Sequence, residues 1–215
     1  MSEPVVVGIP NGSFAENCWL VADATQGVAA VVDPGEDADR ILAEVSRRGW
    51  RVEAIWVTHG HIDHVMGIAR VKAATGAPVH LHALDQGLYH NAVEQGRWFG
   101  LAVEPLPAPD VSWNHGDVVR LGSLEFEVRH APGHSPGHVV LVGHGHAFVG
   151  DVLFQGSVGR TDLPGGDGRT LDRSIRSELL TLPDGTVVHP GHGAETTVGA
   201  ERESNPFLNG SVTLV

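Results

Sequence analysis

Residues 58–64 read THGHIDH and place three histidines and one aspartate in one short segment. The segment directly follows the apolar run 54–57, which is typical of a buried strand. His59 and His61 are two residues apart, so their side chains project to the same side of an extended backbone but would not face each other on a helix. The sequence therefore predicts a histidine pair on a loop that leaves a strand.

Two more metal-binding side chains, Asp63 and His64, complete this segment. They are expected to begin the next helix, where unpaired amides and the helix dipole favour a carboxylate. The histidine pair could therefore hold one metal ion and the Asp–His pair a second ion beside it. Because Cys18 is the single cysteine, any metal must be held by histidine and carboxylate.

Neither pair is complete, because a metal site usually takes three or four protein ligands. Three later segments can supply the rest: APGHSPGH contains His134, FVGD ends in Asp151, and VHPGH ends in His192. Each of these candidate ligands follows a strand-like run. Loops at strand ends gather functional groups on a rigid scaffold, so these positions suit a shared site.

Length and charge limit the class of protein. The chain has 215 residues, which suits one domain over residues 1–215, and no apolar stretch approaches the roughly 20 residues that cross a bilayer. The N-terminal residues lack the pattern of a signal peptide, so we expect a cytoplasmic protein with no membrane partner. With 26 acidic and 14 basic residues the formal net charge is -12, which disfavours nucleic acid as a partner.

Strand and helix patterns run along the whole chain. The runs 5–9, 18–22 and 28–32 predict an antiparallel meander. Strands occur in two similar groups with helices in each half, which predicts two sheets packed face to face with helices outside. Further strands are expected at 54–57, 79–82, 139–142, 147–149 and 186–188, a hairpin at 118–129, and helices at 36–48, 63–75, 85–96, 171–182 and 194–204.

The ordered set of HxHxDH, a GHSPGH loop, GD and PGH resembles the metallo-β-lactamase superfamily, over roughly residues 12–207. The resemblance implies an α/β fold, namely an αββα sandwich of two mixed β-sheets flanked by helices. It also implies a binuclear site with two divalent metal ions, zinc in the first place and iron or manganese as alternatives. The implied ligands are His59, His61 and His134 for the first metal, Asp63, His64 and His192 for the second, and Asp151 as the bridge.

Within the superfamily, the segments GDVLFQGSVGRTDLPGGD and HPGHGAET are similar to those of small glyoxalase II-like hydrolases, also called hydroxyacylglutathione hydrolases. This resemblance implies a thioesterase in which a hydroxide that bridges the two metals attacks the carbonyl carbon, with Asp63 also orienting that hydroxide. Thiols ionise near pH 8.5, so a thiolate leaves without a strong general acid. The carboxylate at position 151 argues against a true lactamase.

The chain departs from the glutathione-binding pattern of two-domain glyoxalase II enzymes. Where they carry a lysine and two tyrosines, this chain has Arg160, Asp162 and Ala194. We also expect no C-terminal glutathione-binding helical domain. Arg160 could pair with a substrate carboxylate or with a nearby aspartate. The substrate is expected to be a small-molecule thioester or ester, and the oligomeric state stays open.

Two other activities of the superfamily remain alternatives. Persulfide dioxygenases also show a GRTD segment and use a single iron held by residues that match His59, His134 and Asp151. A lactonase is the other alternative. Asp33 is interpreted as a turn former that could bond a ligand histidine, and His138 and His189 as packing or supporting residues. Surface or structural roles are assigned to His80, His82, His90, His115, His130, His144 and His146.

Overall fold

The computed structural model describes residues 3–212, so residues 1, 2 and 213–215 of the predicted domain lie outside the described part. One six-stranded sheet has its strands in chain order. The first three strands pair antiparallel, as the sequence predicted, and the third to sixth pair parallel. The strands are β1 (Val5–Asn11), β2 (Glu16–Asp23), β3 (Val28–Val32), β4 (Arg51–Trp56), β5 (Val79–His82) and β6 (Val111–Trp113).

The second sheet also has six strands, in the order β14-β13-β10-β9-β8-β7. Its pairs are antiparallel except for the parallel pair of β10 and β13. Both sheets are therefore mixed. The strands are β7 (Val118–Leu121), β8 (Leu124–His130), β9 (Val139–Gly143), β10 (His146–Gly150), β13 (Val187–Pro190) and β14 (Thr196–Thr197), while β11 (Leu153–Phe154) and β12 (Ser157–Val158) form a separate ribbon.

Helices cover the outer faces of the two sheets. No helix within residues 3–212 is both long and apolar enough to cross a membrane. A 3-10 turn covers Ala83–Asp85 and a π-helical turn covers Ile175–Leu179. The α-helices are α1 (Ala38–Arg48), α2 (Ile62–Val65), α3 (Ile68–Thr75), α4 (Gln86–His90), α5 (Ala92–Trp98), α6 (Gly168–Ser174) and α7 (Val198–Ser204).

Alternating side chains of β2 show how the layers are built. Cys18 and Leu20 pack with the helices on the outer face of the first sheet. Trp19 and Val21 point the other way and pack between the sheets, against side chains of the second sheet such as Phe126. Because both faces of the strand are covered, all of its residues are buried. The result is an αββα sandwich, which confirms the predicted fold class.

Several predicted elements differ from the structure in their bounds. The helix expected at 63–75 is divided into α2 and α3, because the Gly67 amide donates to the Pro34 carbonyl oxygen (2.9 Å) and a Cβ at Gly67 would collide with the Gly35 carbonyl oxygen. The helix expected at 85–96 is also divided, and the one at 171–182 starts earlier and continues as the π-helical turn. The short strands β6, β11, β12 and β14 were not predicted.

Candidate metal centre

The candidate ligands all leave from one edge of the sandwich. In the first sheet β3, β4 and β5 run parallel, and in the second sheet β10 runs parallel to β13 and in the direction of β8. Their carboxyl ends therefore meet at the same edge. The segments that follow β4, β8, β10 and β13 carry all seven predicted ligands, with Asp63 and His64 in α2 and the other five in loops, as the sequence indicated.

Three histidines form the first donor group. The Nδ1 atom of His61 lies 2.8 Å from Nε2 of His134, which lies 3.2 Å from Nε2 of His59. All three side chains are buried. Three ring nitrogens that converge on one point can hold a metal ion.

The second donor group contains Asp63, His64 and His192. The Oδ2 atom of Asp63 lies 3.1 Å from Nε2 of His192 and 3.6 Å from Nε2 of His64. His64 is fully buried, whereas His192 is partly exposed. These three donor atoms can also hold a metal ion.

Asp151 lies between the two groups and faces both. Its Oδ2 atom is 3.6 Å from Nε2 of His134 in the first group and 3.7 Å from Nε2 of His192 in the second. Its Oδ1 atom is 3.4 Å from Nε2 of His64. The carboxylate is thus placed where it can contact ions in both groups.

Hydrogen bonds on the outer side of the rings leave the inner nitrogens free to coordinate. The Nδ1–H of His134 donates to the Arg160 carbonyl oxygen (2.8 Å), because a carbonyl can only accept. In the same way the Nδ1–H of His64 donates to Oδ2 of Asp33 (3.0 Å), which Thr58 also bonds through its hydroxyl (2.6 Å). Asp33 therefore supports a candidate ligand histidine, a role that the sequence had left as an alternative to a turn former.

Unsatisfied polar atoms among the candidate ligands indicate that the site can bind divalent cations. Nε2 of His64 and Oδ1 of Asp151 are buried and have no hydrogen-bond partner among residues 3–212. Unpaired polar atoms of this kind are costly inside a protein unless a ligand satisfies them. Imidazole nitrogens and carboxylate oxygens are the donors that zinc and similar metals take.

Electrostatics favour the metal-binding protonation state of some candidate ligands and oppose it in others. Burial lowers the pKa of His61 to about 3 and holds the pKa of His59 well below its usual value. Burial would raise the pKa of Asp151, but the surrounding imidazoles, chiefly His64, hold it below its usual range. Burial opposes the charged form of His64 and His192 as well, but the carboxylates of Asp63 and Asp151 raise the pKa of both. Because a metal takes neutral imidazole, these two histidines would release protons when a cation binds.

Asp85 is a buried carboxylate that ties together the loops of the first donor group. Its Oδ2 accepts from the Gly60 amide (2.9 Å) in the THGHIDH loop and from the Ser135 hydroxyl (2.7 Å), and its Oδ1 accepts from the Gly137 amide (2.5 Å). Gln95 adds a bond from its amide nitrogen to the Gly60 carbonyl oxygen (3.2 Å). Sequence reasoning missed both residues. The parallel pairing of β4 and β5 would have indicated Asp85, since it places the residues after β5 beside the THGHIDH loop.

We expect Asp85→Ala to lower zinc affinity about 10- to 100-fold, the usual effect of removing a residue that orients metal ligands. Asp85→Asn keeps the size of the side chain but replaces one of its two acceptor oxygens by an NH2 group, so only part of the hydrogen bonds to the two loops is lost. We therefore expect a smaller decrease in zinc affinity than in Asp85→Ala. Affinity is measured by competition with a chelating dye, and circular dichroism checks folding. Asp39→Ala, which removes an exposed carboxylate on α1, serves as the control. Unchanged affinity in a folded Asp85→Ala variant would contradict the role assigned to Asp85.

The remaining histidines lie outside the two donor groups. The Nε2 atom of His138 accepts from the Asp151 amide (3.1 Å), so this residue supports a candidate ligand, and His189 packs on Trp19. His80 lies near Trp113 in the first sheet, and His82 stacks on His130.

A cleft of about 410 Å³ opens over the donor groups. Asp63, His61, Asp151 and His192 form part of its lining. Arg160 also lines the cleft, but its guanidinium binds both carboxylate oxygens of Asp162 at 2.7 and 2.8 Å. The structure therefore pairs Arg160 with a nearby aspartate, one of the two alternatives from the sequence.

The chain is similar to proteins that are already known. The family model of the metallo-β-lactamase superfamily matches residues 11–192. The hydroxyacylglutathione hydrolase GloC of Haemophilus influenzae is 40% identical over 205 residues, or 94% of this chain and 96% of GloC. The solved structure of TTHA1623 in a di-iron-bound form is 42% identical with a TM-score of 0.86, and the match covers 94% of this chain and 100% of that one. BLEG-1, a B3 metallo-β-lactamase, is 35% identical with a TM-score of 0.90 over 95% of this chain and 99% of that one.

An αββα sandwich with histidine and carboxylate clusters at one edge defines a class of metal-dependent hydrolases. This chain belongs to the metallo-β-lactamase superfamily, as the motifs indicated.

Proposed function

We propose that this protein is a binuclear metal-dependent thioesterase of the hydroxyacylglutathione hydrolase type. The observation that carries the proposal is the position of Asp151, which faces both donor groups. In this proposal His59, His61 and His134 hold one divalent cation, and Asp63, His64 and His192 hold the other. Asp151 contacts both ions. Zinc is the first choice of metal, and the similarity to a di-iron structure keeps iron in consideration.

When bound, two such cations supply an activated hydroxide at neutral pH and Lewis acidity toward a carbonyl oxygen. Asp63 lines the cleft and its Oδ2 lies beside His192, so this carboxylate can also accept a hydrogen bond from the attacking oxygen and fix its direction. The negative charges of Asp63 and Asp151 offset part of the charge of the two cations. The buried histidines exclude water from the far side of the centre.

The cleft favours a substrate with a good leaving group. Among its described lining residues, every group that could donate a proton belongs to the donor groups, apart from Ser157 and the paired Arg160. A thiolate leaves without protonation because thiols ionise near pH 8.5, whereas an amine or alkoxide requires an acid. GloC is named for the hydrolysis of a thioester, so the similarity to GloC supports thioesters as the class of bond that is cleaved. Thioesters are therefore preferred over amides and ordinary esters.

The proposal is tested by measuring thiol release from an acyl thioester with zinc-loaded protein under argon. Thiol release should continue without oxygen, disappear after treatment with a chelator and return when zinc is added. A β-lactam is the comparison substrate, and we expect it to be hydrolysed more slowly. Oxygen uptake with glutathione persulfide by iron-loaded protein in air, without thiol release from any thioester by the zinc-loaded protein, would replace the proposal by the mononuclear iron dioxygenase.

A further inference from the structure

Two aromatic residues from separate segments form one wall of the cleft. Phe14, in the turn between β1 and β2, meets Phe99, which follows α5, with ring centroids 5.0 Å apart in an edge-to-face arrangement. Ile62, which stands between His61 and Asp63 in the chain, also lines the cleft. Phe99 is 57% exposed, so it presents apolar surface to whatever enters the cleft.

Other lining residues of the cleft are apolar as well. They include Phe154, Val158 and Leu163, and the ring of Phe154 lies 6.1 Å from that of His192. Arg160 is the one cation among the described residues of the lining outside the histidines. A substrate carboxylate that approached Arg160 would meet the negative charge of Asp162 on the same guanidinium.

This inference rests on the proposed function and names its substrate class. We propose that the cleft takes thioesters with an apolar acyl group and an uncharged thiol portion, with the acyl group against Phe14 and Phe99. Glutathione brings two carboxylates and an ammonium group, which would lie against apolar walls and a paired arginine. Polar groups that lose water without new partners weaken binding. The net charge of -12 adds no attraction for an anionic substrate.

The test varies the acyl chain while the thiol stays constant. Acetyl, butanoyl and hexanoyl thioesters of N-acetylcysteamine are compared with S-lactoylglutathione. We expect kcat/KM to rise at least about tenfold from acetyl to hexanoyl, since a fully buried methylene is worth up to about fourfold. A flat dependence on chain length, or a preference for S-lactoylglutathione over the hexanoyl thioester, would overturn the inference.

Two neighbouring aromatic residues provide a matched pair of variants. Phe99→Ala should reduce the chain-length effect to within about threefold, because it removes the ring from the wall. Trp98→Ala should keep the effect of the unaltered protein, since Trp98 is 63% exposed and is not part of the cleft lining among the described residues. An equal chain-length effect in both variants would contradict the role of Phe99.

A binding measurement separates this inference from the proposed function. The S-hexyl thioether of N-acetylcysteamine cannot be hydrolysed, and calorimetry should show that Phe99→Ala weakens its binding while Trp98→Ala does not. If this pattern holds but no thioester is cleaved, the thioesterase proposal fails and apolar recognition stands. If thioesters are cleaved but the thioether binds equally to both variants, recognition of an apolar acyl group by Phe99 is contradicted and the thioesterase proposal stands.

Discussion

Replacing Asp151 with asparagine is expected to lower kcat by at least about two orders of magnitude and to weaken binding of the second metal ion. Asparagine keeps the size of the side chain but removes the negative charge that faces both donor groups. Its neutral amide also offers only one acceptor oxygen to two cations. The loss should therefore appear in kcat and in metal affinity rather than in folding.

This expectation is tested by measuring the rate of thiol release and by titrating the Asp151→Asn variant with metal. Asp167→Asn is the control for the same change of side chain. The Asp167 side chain caps the start of α6, and asparagine can form the same cap. Near-normal turnover in Asp151→Asn would contradict the position of this residue between the two ions.

The second large effect is expected for His134→Ala, which should abolish measurable activity and remove the first metal ion. His134 lies 2.8 Å from His61 and 3.2 Å from His59, so its loss leaves that group with two nitrogens. The first ion would then keep two histidines and a carboxylate that it shares with the second ion, one ligand fewer than in the unaltered group. Elemental analysis and the thioester assay together measure both losses.

His80→Ala is the control for removal of a histidine. His80 lies in β5 near Trp113, away from both donor groups, and we expect this variant to retain metal and turnover. His138 is unsuitable as a control because its Nε2 accepts from the amide of Asp151. Equal losses in His134→Ala and His80→Ala would contradict the assignment of His134 to the donor group.

The donor groups could be predicted from the sequence because each candidate ligand follows a recognisable strand. The carboxyl ends of such strands meet at one edge, so motifs far apart in the chain predict one centre. Asp85 could not be predicted in the same way. Its role depends on β5 pairing parallel to β4, and the sequence alone did not give that pairing. The wall formed by Phe14 and Phe99 was missed for a similar reason, since two unrelated loops form it.

The bounds of helices were predicted less well than those of strands. Strands β3 and β5 have the predicted bounds. Every residue of β3 is buried and every second residue of β5 is buried, and the matching apolar patterns in the sequence begin and end with the strands. The helix expected at 63–75 is interrupted by a close approach to the Pro34 carbonyl. This contact joins residues far apart in sequence, so local periodicity carries no sign of it.

In the proposed centre two metal ions bind side by side and share Asp151. Their number can be measured by titrating metal-free protein with zinc, with calorimetry as the readout and elemental analysis as a check. We expect two zinc ions per chain, with one of them lost in His192→Ala. A single ion per chain that is unaffected by His192→Ala would show that the two donor groups do not form a binuclear centre.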